Sequence, residues 1–198
     1  MNNILSEIKK RRTYYHLSKK SPVSDTMLEH ILQETLRHTP TAFNMQSMRL
    51  VLLLDKKHDA LWDETIRILK EMTPESAFEK TKEKIKSFKE AYGTVLFYND
   101  ESVVTSYAEG YPLYRDNFSA WAEQSNGMLQ SNVWMVLESY GLGANLQHYN
   151  PLIDTFAGQL AGIPESWRLI AQMPFGTPIH QPAEKTFLPV DERFKVIR

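Results

Sequence analysis

Cysteine is absent from the chain, which rules out disulfides, thiol nucleophiles and thiolate metal sites together and makes a reducing compartment the easiest home. Redox chemistry would need a borrowed cofactor. Neither sign of charge dominates: 23 lysines and arginines face 24 aspartates and glutamates, a formal net charge of -1, so neither nucleic acid nor an anionic membrane is indicated as a partner. Long hydrophobic runs are missing too. The most apolar stretch, Leu50 to Leu54, is far short of the roughly 20 residues that span a bilayer. The polar and apolar residues that alternate from Met1 to Arg12 lack the apolar core of a signal peptide, so a cytoplasmic protein is expected. G-x-S-x-G, P-loop and H-E-x-x-H motifs are absent, and the six histidines lack metal-site spacing, so no metal is expected. Without G-x-G-x-x-G, any dinucleotide must bind by a route other than the Rossmann turn. There is no internal repeat, low-complexity tract or linker.

What is present suits one soluble globular domain: 198 residues, 42% hydrophobic and 24% charged, enough for a sizeable single core. Ile4, Leu5 and Ile8 recur at helical spacing and run into Lys9-Lys10-Arg11-Arg12, cations at a helix end where the dipole favours them. Ser24 caps a second helix that carries Met27, Leu28, Ile31, Leu32 and Leu36 inward and stops at Thr39-Pro40. Residues 41 to 48 read as a polar loop and Arg49 to Leu54 as a buried strand. A helix bearing Leu61, Trp62, Ile66 and Leu69 follows. Thr73 then caps a helix with Pro74 at its first position and Phe78, Thr81, Ile85, Phe88 and Tyr92 on one face. Gly93 ends it, and Thr94 to Tyr98 has the β-branched and aromatic content of a second strand, closed by Asn99-Asp100.

From Tyr114 to Tyr140 only Gly127 interrupts a helical run, and Met128, Leu129 and Val133 to Leu137 put apolar side chains on nearly every face. Such a helix must be covered all round. For a chain this small, that points to its own sheet on one side and a second subunit on the other. Gly141 is a left-handed cap, Pro151 to Leu160 a short helix and Trp167 to Met173 a third strand. Pro174 to Pro189, with its prolines, reads as extended or irregular, and Arg193 to Val196 as a final strand.

Four segments stand out for chemistry. Lys10-Arg11-Arg12-Thr13-Tyr14-Tyr15 offers guanidinium forks and a hydroxyl, suited to a phosphate, but taken alone it is equally a solvated helix end. Pro40-Thr41-Ala42-Phe43-Asn44-Met45-Gln46 places amides on a loop; taken alone it is an ordinary turn in which Asn44 bonds its own backbone. Gly141-Leu142-Gly143-Ala144-Asn145-Leu146-Gln147-His148-Tyr149-Asn150 follows the long helix, and Glu192-Arg193-Phe194-Lys195-Val196 is bare of other context a charged tail. In this order and at these separations the four segments resemble the nitroreductases. The Tyr-Tyr after Arg-Arg-Thr and the Gln-His-Tyr-Asn are similar to the compact branch that includes the fungal fatty-acid-repression-type and bacterial copper-induced nitroreductases.

The resemblance implies an α+β fold: a central mostly antiparallel sheet surrounded by helices, with the long helix at a twofold dimer interface and the tail crossing to the partner. Residues 1–198 then form a single FMN-binding domain. It implies that Arg11, Arg12 and Thr13 hold the FMN phosphate and ribityl chain, with Arg193 and Lys195 as further phosphate ligands. Asn44 would meet the pyrimidine edge of the isoalloxazine, with Gln46 supporting the loop. Gln147, His148 and Tyr149 would line the cofactor, the backbone N–H groups around the last two approaching flavin N5 and O4, where donors stabilise negative charge on the reduced ring. Tyr15 belongs to the same cofactor motif and stands where several relatives of the larger type carry a Lys or Arg. His148 also reads as a proton source or a surface residue.

Phe118, Trp121 and Ser125 share the face of the long helix that the resemblance turns toward substrate, although an aromatic stripe at this spacing is more often core. The implied activity is hydride transfer from NAD(P)H through flavin N5 to nitroaromatic or quinone-like acceptors, each occupying the same place in turn. Two rivals stand beside it. One is a flavin-binding sensor or FMN store without turnover. The other is a nucleic-acid-binding domain built on Lys9 to Arg12 and the Lys-rich helix of residues 80 to 89, which Glu79, Glu83 and Glu90 interrupt.

Overall fold

The structure, a computed structural model, describes residues 4–198, so the part of the N-terminal reading that falls on Met1 to Asn3 lies outside the described residues. The chain runs α1 (Ile4–Lys10), β1 (Leu17–Ser18), α2 (Asp25–His38), a 3-10 turn (Ala42–Asn44), β2 (Met48–Leu54), α3 (Asp55–Met72) and α4 (Glu75–Lys89). It continues through β3 (Gly93–Asp100), α5 (Glu101–Gly110), a 3-10 segment (Pro112–Asn117), α6 (Phe118–Ser139), β4 (Gly143–Ala144), α7 (Asp154–Ala161) and β5 (Trp167–Pro178).

Side-chain alternation decides the layers. In β3 every residue is buried; Val95 and Phe97 belong to one core while Leu96 and Tyr98 belong to another, so helices must cover both faces of the sheet. β2 and β5 flank β3 antiparallel, β1 extends the sheet beyond β5, and β4 also pairs with β5. On one face Leu28, Ile31 and Leu32 of α2 and Leu129, Val133 and Leu137 of α6 meet Val95, Phe97, Ala171, Met173 and Phe175. On the other, Leu61 and Trp62 of α3, Ile85 and Phe88 of α4 and Ala157 of α7 cover Leu96, Tyr98 and Leu169. The architecture is the expected mostly antiparallel sheet wrapped by helices.

α6 is fastened to the sheet by polar groups as well as by packing. Asn126, fully buried, donates from Nδ2 to Tyr98 O (3.1 Å) and to Asn99 Oδ1 (3.0 Å), and its own Oδ1 accepts from Gln130 Nε2 (2.7 Å). These bonds dictate the depth and rotation of the helix on β3.

Local signals fared well where they were chemical. Ser24 caps α2, its hydroxyl accepting from Met27 N–H, and Gly141 adopts φ 80 behind α6. Four expectations are corrected. Thr73 does not cap α4: its N–H closes α3 on Leu69 O (2.9 Å), and Pro74 holds the cap position. Met27 stays exposed because it lies about 100° round α2 from Leu28, off the face that Leu28, Ile31 and Leu32 turn to the sheet. β5 runs on through Pro174 to Pro178, since Pro174 lacks only the N–H and its carbonyl still accepts from Asn145 N–H (3.2 Å). Arg193 to Val196 forms no strand, because the tail is exposed and finds no partner edge in this subunit. α5 and the turn after it carry no strong hydrophobic period. Asp100 ends β3 and at once caps α5, accepting from Ser102 N–H, so no loop announces the change.

Candidate functional site

The basic segment after α1 and the segment after α6 meet because both lie beside β5. Thr13 bridges Ala144 in parallel. Tyr14 N–H donates to Ala144 O (3.0 Å), and Asn145 Nδ2 donates back to Tyr14 O (2.8 Å). Gly143 permits the approach, since a Cβ there would stand 2.8 Å from the Tyr14 ring. Gln147 continues the line, exchanging backbone bonds with Gln172 (2.7 and 2.9 Å) and resting its side-chain amide on Asn145 Oδ1 (2.8 Å).

At the end of α1 the Arg11 guanidinium sits over the Trp134 ring, 4.3 Å from its centroid. Its Nη1 is buried and has no hydrogen-bond partner. An unpaired buried guanidinium N–H is costly, so this position calls for an anion. Trp134 Nε1 donates to Arg12 O (3.2 Å), the Arg12 guanidinium to Ala183 O, and Lys185 Nζ to Arg11 O (2.9 Å). Burial and the nearby charges of Arg11 and Arg12 hold the Lys185 amine below the usual lysine range. Lys185 was not legible as a site residue, because its neighbours in sequence carry no motif and its partners lie more than a hundred residues away. Glu138 completes the cluster: it accepts from Tyr14 OH (3.2 Å), its Oε2 is buried without a partner, and burial pushes its carboxyl above the usual range.

The loop before β2 is the second cluster. Phe43 (φ 54), Asn44 (φ 53) and Gln46 (φ 51) all lie in the left-handed region, at a cost on the order of 1 kcal/mol or more apiece. Thr41 Oγ1 accepts from Gln46 N–H (3.0 Å) and Gln46 Nε2 donates to Asn44 O (3.4 Å). Phe43 packs against Tyr111, Tyr114, Phe118 and Trp121 with ring centroids 4.9 to 5.7 Å away. The Asn44 side-chain amide makes no hydrogen bond among the described residues; it is not consumed by its own turn and faces outward.

The remaining candidates divide. His148 is exposed and takes part in no hydrogen bond among the described residues. Tyr149 N–H is taken by Gln172 Oε1 (2.7 Å), and its ring packs with Trp62 and Phe88, burial pushing its hydroxyl up to about 12. In this arrangement His148, not Tyr149, keeps an open backbone donor. Tyr15 is exposed. Trp121 is half-buried, whereas Phe118 is wholly buried and Ser125 is buried with its hydroxyl donating to Trp121 O (2.8 Å) inside its own helix. Arg193 and Lys195 are exposed on the tail, and among the described residues neither side chain makes an ion pair or a hydrogen bond.

The two clusters mark opposite ends of α6. Arg11 packs on Trp134 and Phe43 on Trp121, about 20 Å apart along a helix that rises 1.5 Å per residue.

Residues 8–177 match the Nitroreductase family. The nitroreductase FRM2 of Saccharomyces cerevisiae is 34% identical over 188 residues, 94% of this chain and 93% of FRM2. The nitroreductase CinD from Lactococcus lactis, solved in complex with nicotinic acid, is 41% identical with a TM-score of 0.91, covering 99% of this chain and 100% of CinD. A protein of Exiguobacterium sibiricum solved in complex with FMN shares the fold, with a TM-score of 0.73 at 11% identity over 100% of this chain and 98% of that one. By the family match over most of its length and these relatives, the chain belongs to the nitroreductase family.

Proposed function

We propose that the protein is an FMN-dependent oxidoreductase that passes hydride from NAD(P)H to nitroaromatic or quinone-like acceptors in a ping-pong cycle, working as a homodimer with flavin sites at the interface. The observation that carries this reading is Arg11, whose buried, unpartnered Nη1 and stacked guanidinium form a prepared anion seat. A phosphate monoester fits that donor set. Arg12, Lys185 and the Thr13 hydroxyl would complete its cradle, the Asn44 amide would meet the pyrimidine edge of the ring system, and the open backbone N–H of His148 would face the ring's polar side. When bound, FMN supplies the centre that accepts and returns hydride, while the protein contributes binding, orientation and electrostatics. CinD has been solved with nicotinic acid, chloramphenicol and 4-nitrophenol. Two of these carry a nitroaromatic ring and the other resembles a nicotinamide, which supports one flat pocket serving donor and acceptor in turn.

The division of the site supports the dimer. One subunit presents an anion seat and a ring-edge loop at opposite ends of α6, and a twofold that pairs α6 antiparallel with its copy brings the loop of one subunit to the seat of the other. Met128 is 43% exposed and Met135 half-buried on the uncovered face of α6, the apolar surface such a pairing would bury. Absence of cysteine fits a reducing, cytoplasmic setting, and among the described residues no helix is long and apolar enough to cross a membrane.

The test is direct. Purified protein should be yellow with flavin absorption bands and should oxidise NAD(P)H in the presence of a quinone or 4-nitrobenzoate, with parallel double-reciprocal lines. A colourless protein that also refuses added FMN would sink the proposal, and bound flavin without turnover would favour the sensor or store. A stable folded monomer at micromolar concentration in sedimentation would remove the dimer. Arg193→Ala tests the tail: FMN affinity is expected to fall about ten- to a hundredfold, the worth of one charge-assisted bond, with a smaller loss for riboflavin, which has no phosphate. Equal losses for both flavins would withdraw Arg193 as a phosphate ligand.

A further inference from the structure

Arg49 is the second residue of β2, but its guanidinium turns back toward the loop that precedes the strand. Nη1 donates to Gln46 O (2.7 Å) and Met48 O (2.9 Å), and Nη2 pairs with Asp100 Oδ2 (3.0 Å). The Trp167 ring lies against the guanidinium, 5.5 Å to the centroid. Asp100 is itself fixed: its Oδ1 accepts from the Ser102 N–H (3.2 Å) and hydroxyl (2.6 Å), and its own N–H donates to Ser47 O (2.8 Å). Burial alone would push the Asp100 carboxyl up, but bonds from Ser102 and Ser166 and the Arg49 charge together hold it below the usual carboxylate range. The Arg49 guanidinium therefore holds the Gln46 and Met48 carbonyls, and the backbone N–H of its partner Asp100 holds the Ser47 carbonyl between them.

The loop so pinned is the one that holds Phe43, Asn44 and Gln46 at positive φ. Such conformations persist only where the surroundings over-determine them. The Thr41 hydroxyl and the rings around Phe43 restrain the front of the loop, and nothing else among the described side chains grips its trailing carbonyls. We propose that Arg49, held by Asp100, is a positioning residue that keeps the Asn44 amide presented outward and thereby sets flavin recognition without contacting the cofactor. This rests on the FMN reading above. A planar fork reaching three acceptors is the property needed, and lysine, a single point charge, does not have it.

The full-length protein provides the test. Hydrogen exchange in flavin-free protein reads the clamp itself: in Arg49→Met the amides of residues 44–46 should exchange about tenfold faster while those of β3 are unchanged. Arg49→Lys, which keeps the ion pair and safeguards the fold, should fall between. FMN dissociation constants for the parent, Arg49→Met, Asn44→Ala and the double variant then read the coupling. Arg49→Met is expected to weaken FMN about tenfold in the parent and less than about twofold in the Asn44→Ala background, because the amide it positions is already gone. Losses that multiply in the double variant, or loop amides that exchange at the parent rate, would overturn the proposal. Faster loop exchange in Arg49→Met, together with a parent that takes up no FMN, would overturn the flavin reading instead, and so the two failures are told apart.

Discussion

Arg11→Ala is expected to lower FMN affinity by about a hundredfold or more, because it removes a partly buried guanidinium able to give a phosphate two N–H bonds of about 1.5 to 3 kcal/mol each. The side chain is already organised for this role. Stacking on Trp134 holds its plane, and its buried Nη1 has no competing acceptor to give up, so little rotamer entropy remains to be lost on binding. Arg11→Lys should recover only part of the loss, since an ammonium restores charge but not the fork. Titration by quenching of flavin fluorescence, with FMN and riboflavin in parallel, measures the difference. A loss below about fivefold, or an equal loss for the two flavins, would place the phosphate elsewhere and take the central observation away from the proposed function.

A second large effect is expected in stability. Asn126→Leu removes a buried amide that serves Tyr98 O, Asn99 Oδ1 and Gln130 Nε2, leaving two deeply buried acceptors and one nearly buried donor without partners. At about 1 to 3 kcal/mol for each orphaned group, partly relieved where Gln130 can reach water, the cost should be about 3 kcal/mol. In a chain of this size that is a fall in Tm of roughly 6 to 12 °C at fixed protein concentration. Leucine keeps the heavy-atom count and branching of asparagine, so the loss does not report a cavity. A fall of less than about 1 kcal/mol in denaturant unfolding would mean that α6 docks on β3 by packing alone. Because α6 also carries Trp134 and Glu138, the variant should weaken the Arg11 seat as well, and a stable variant with reduced FMN affinity would separate helix position from helix stability.

Much of the fold was legible because its signals are local. Ser24 accepts from an N–H three residues on, Gly141 turns left-handed where α6 must stop, and β3 is rich in β-branched and aromatic residues, all readable from short windows. The misses have equally local causes. Thr73 and Pro74 are both plausible helix starts, and the closing bond from Thr73 N–H to Leu69 O decides between them. α5 escaped notice because Asp100 is at once the last residue of a strand and the cap of a helix. Arg193 to Val196 has the composition of a strand and no edge to join within its own subunit.

By itself the sequence determined which residue types stand where: helices from apolar period and capping chemistry, buried strands from apolar runs, and four segments whose order marks the family. These depend on sterics and amphipathy within a few residues. Tertiary structure decided which of those segments meet. Thr13 and Ala144, Arg11 and Trp134, Arg12 and Ala183, Lys185 and Arg11 are joined across more than a hundred residues, and no local pattern encodes such pairs. The choice of His148 over Tyr149 as the open donor was made by the Gln172 side chain, which captures one N–H and leaves the other. Arg49, read from sequence only as the start of a strand, acquired its role because Asp100 lies beside it on the neighbouring strand and turns its fork toward the loop. A hydrogen bond between distant residues is settled by where packing puts them, and packing is a property of the whole chain.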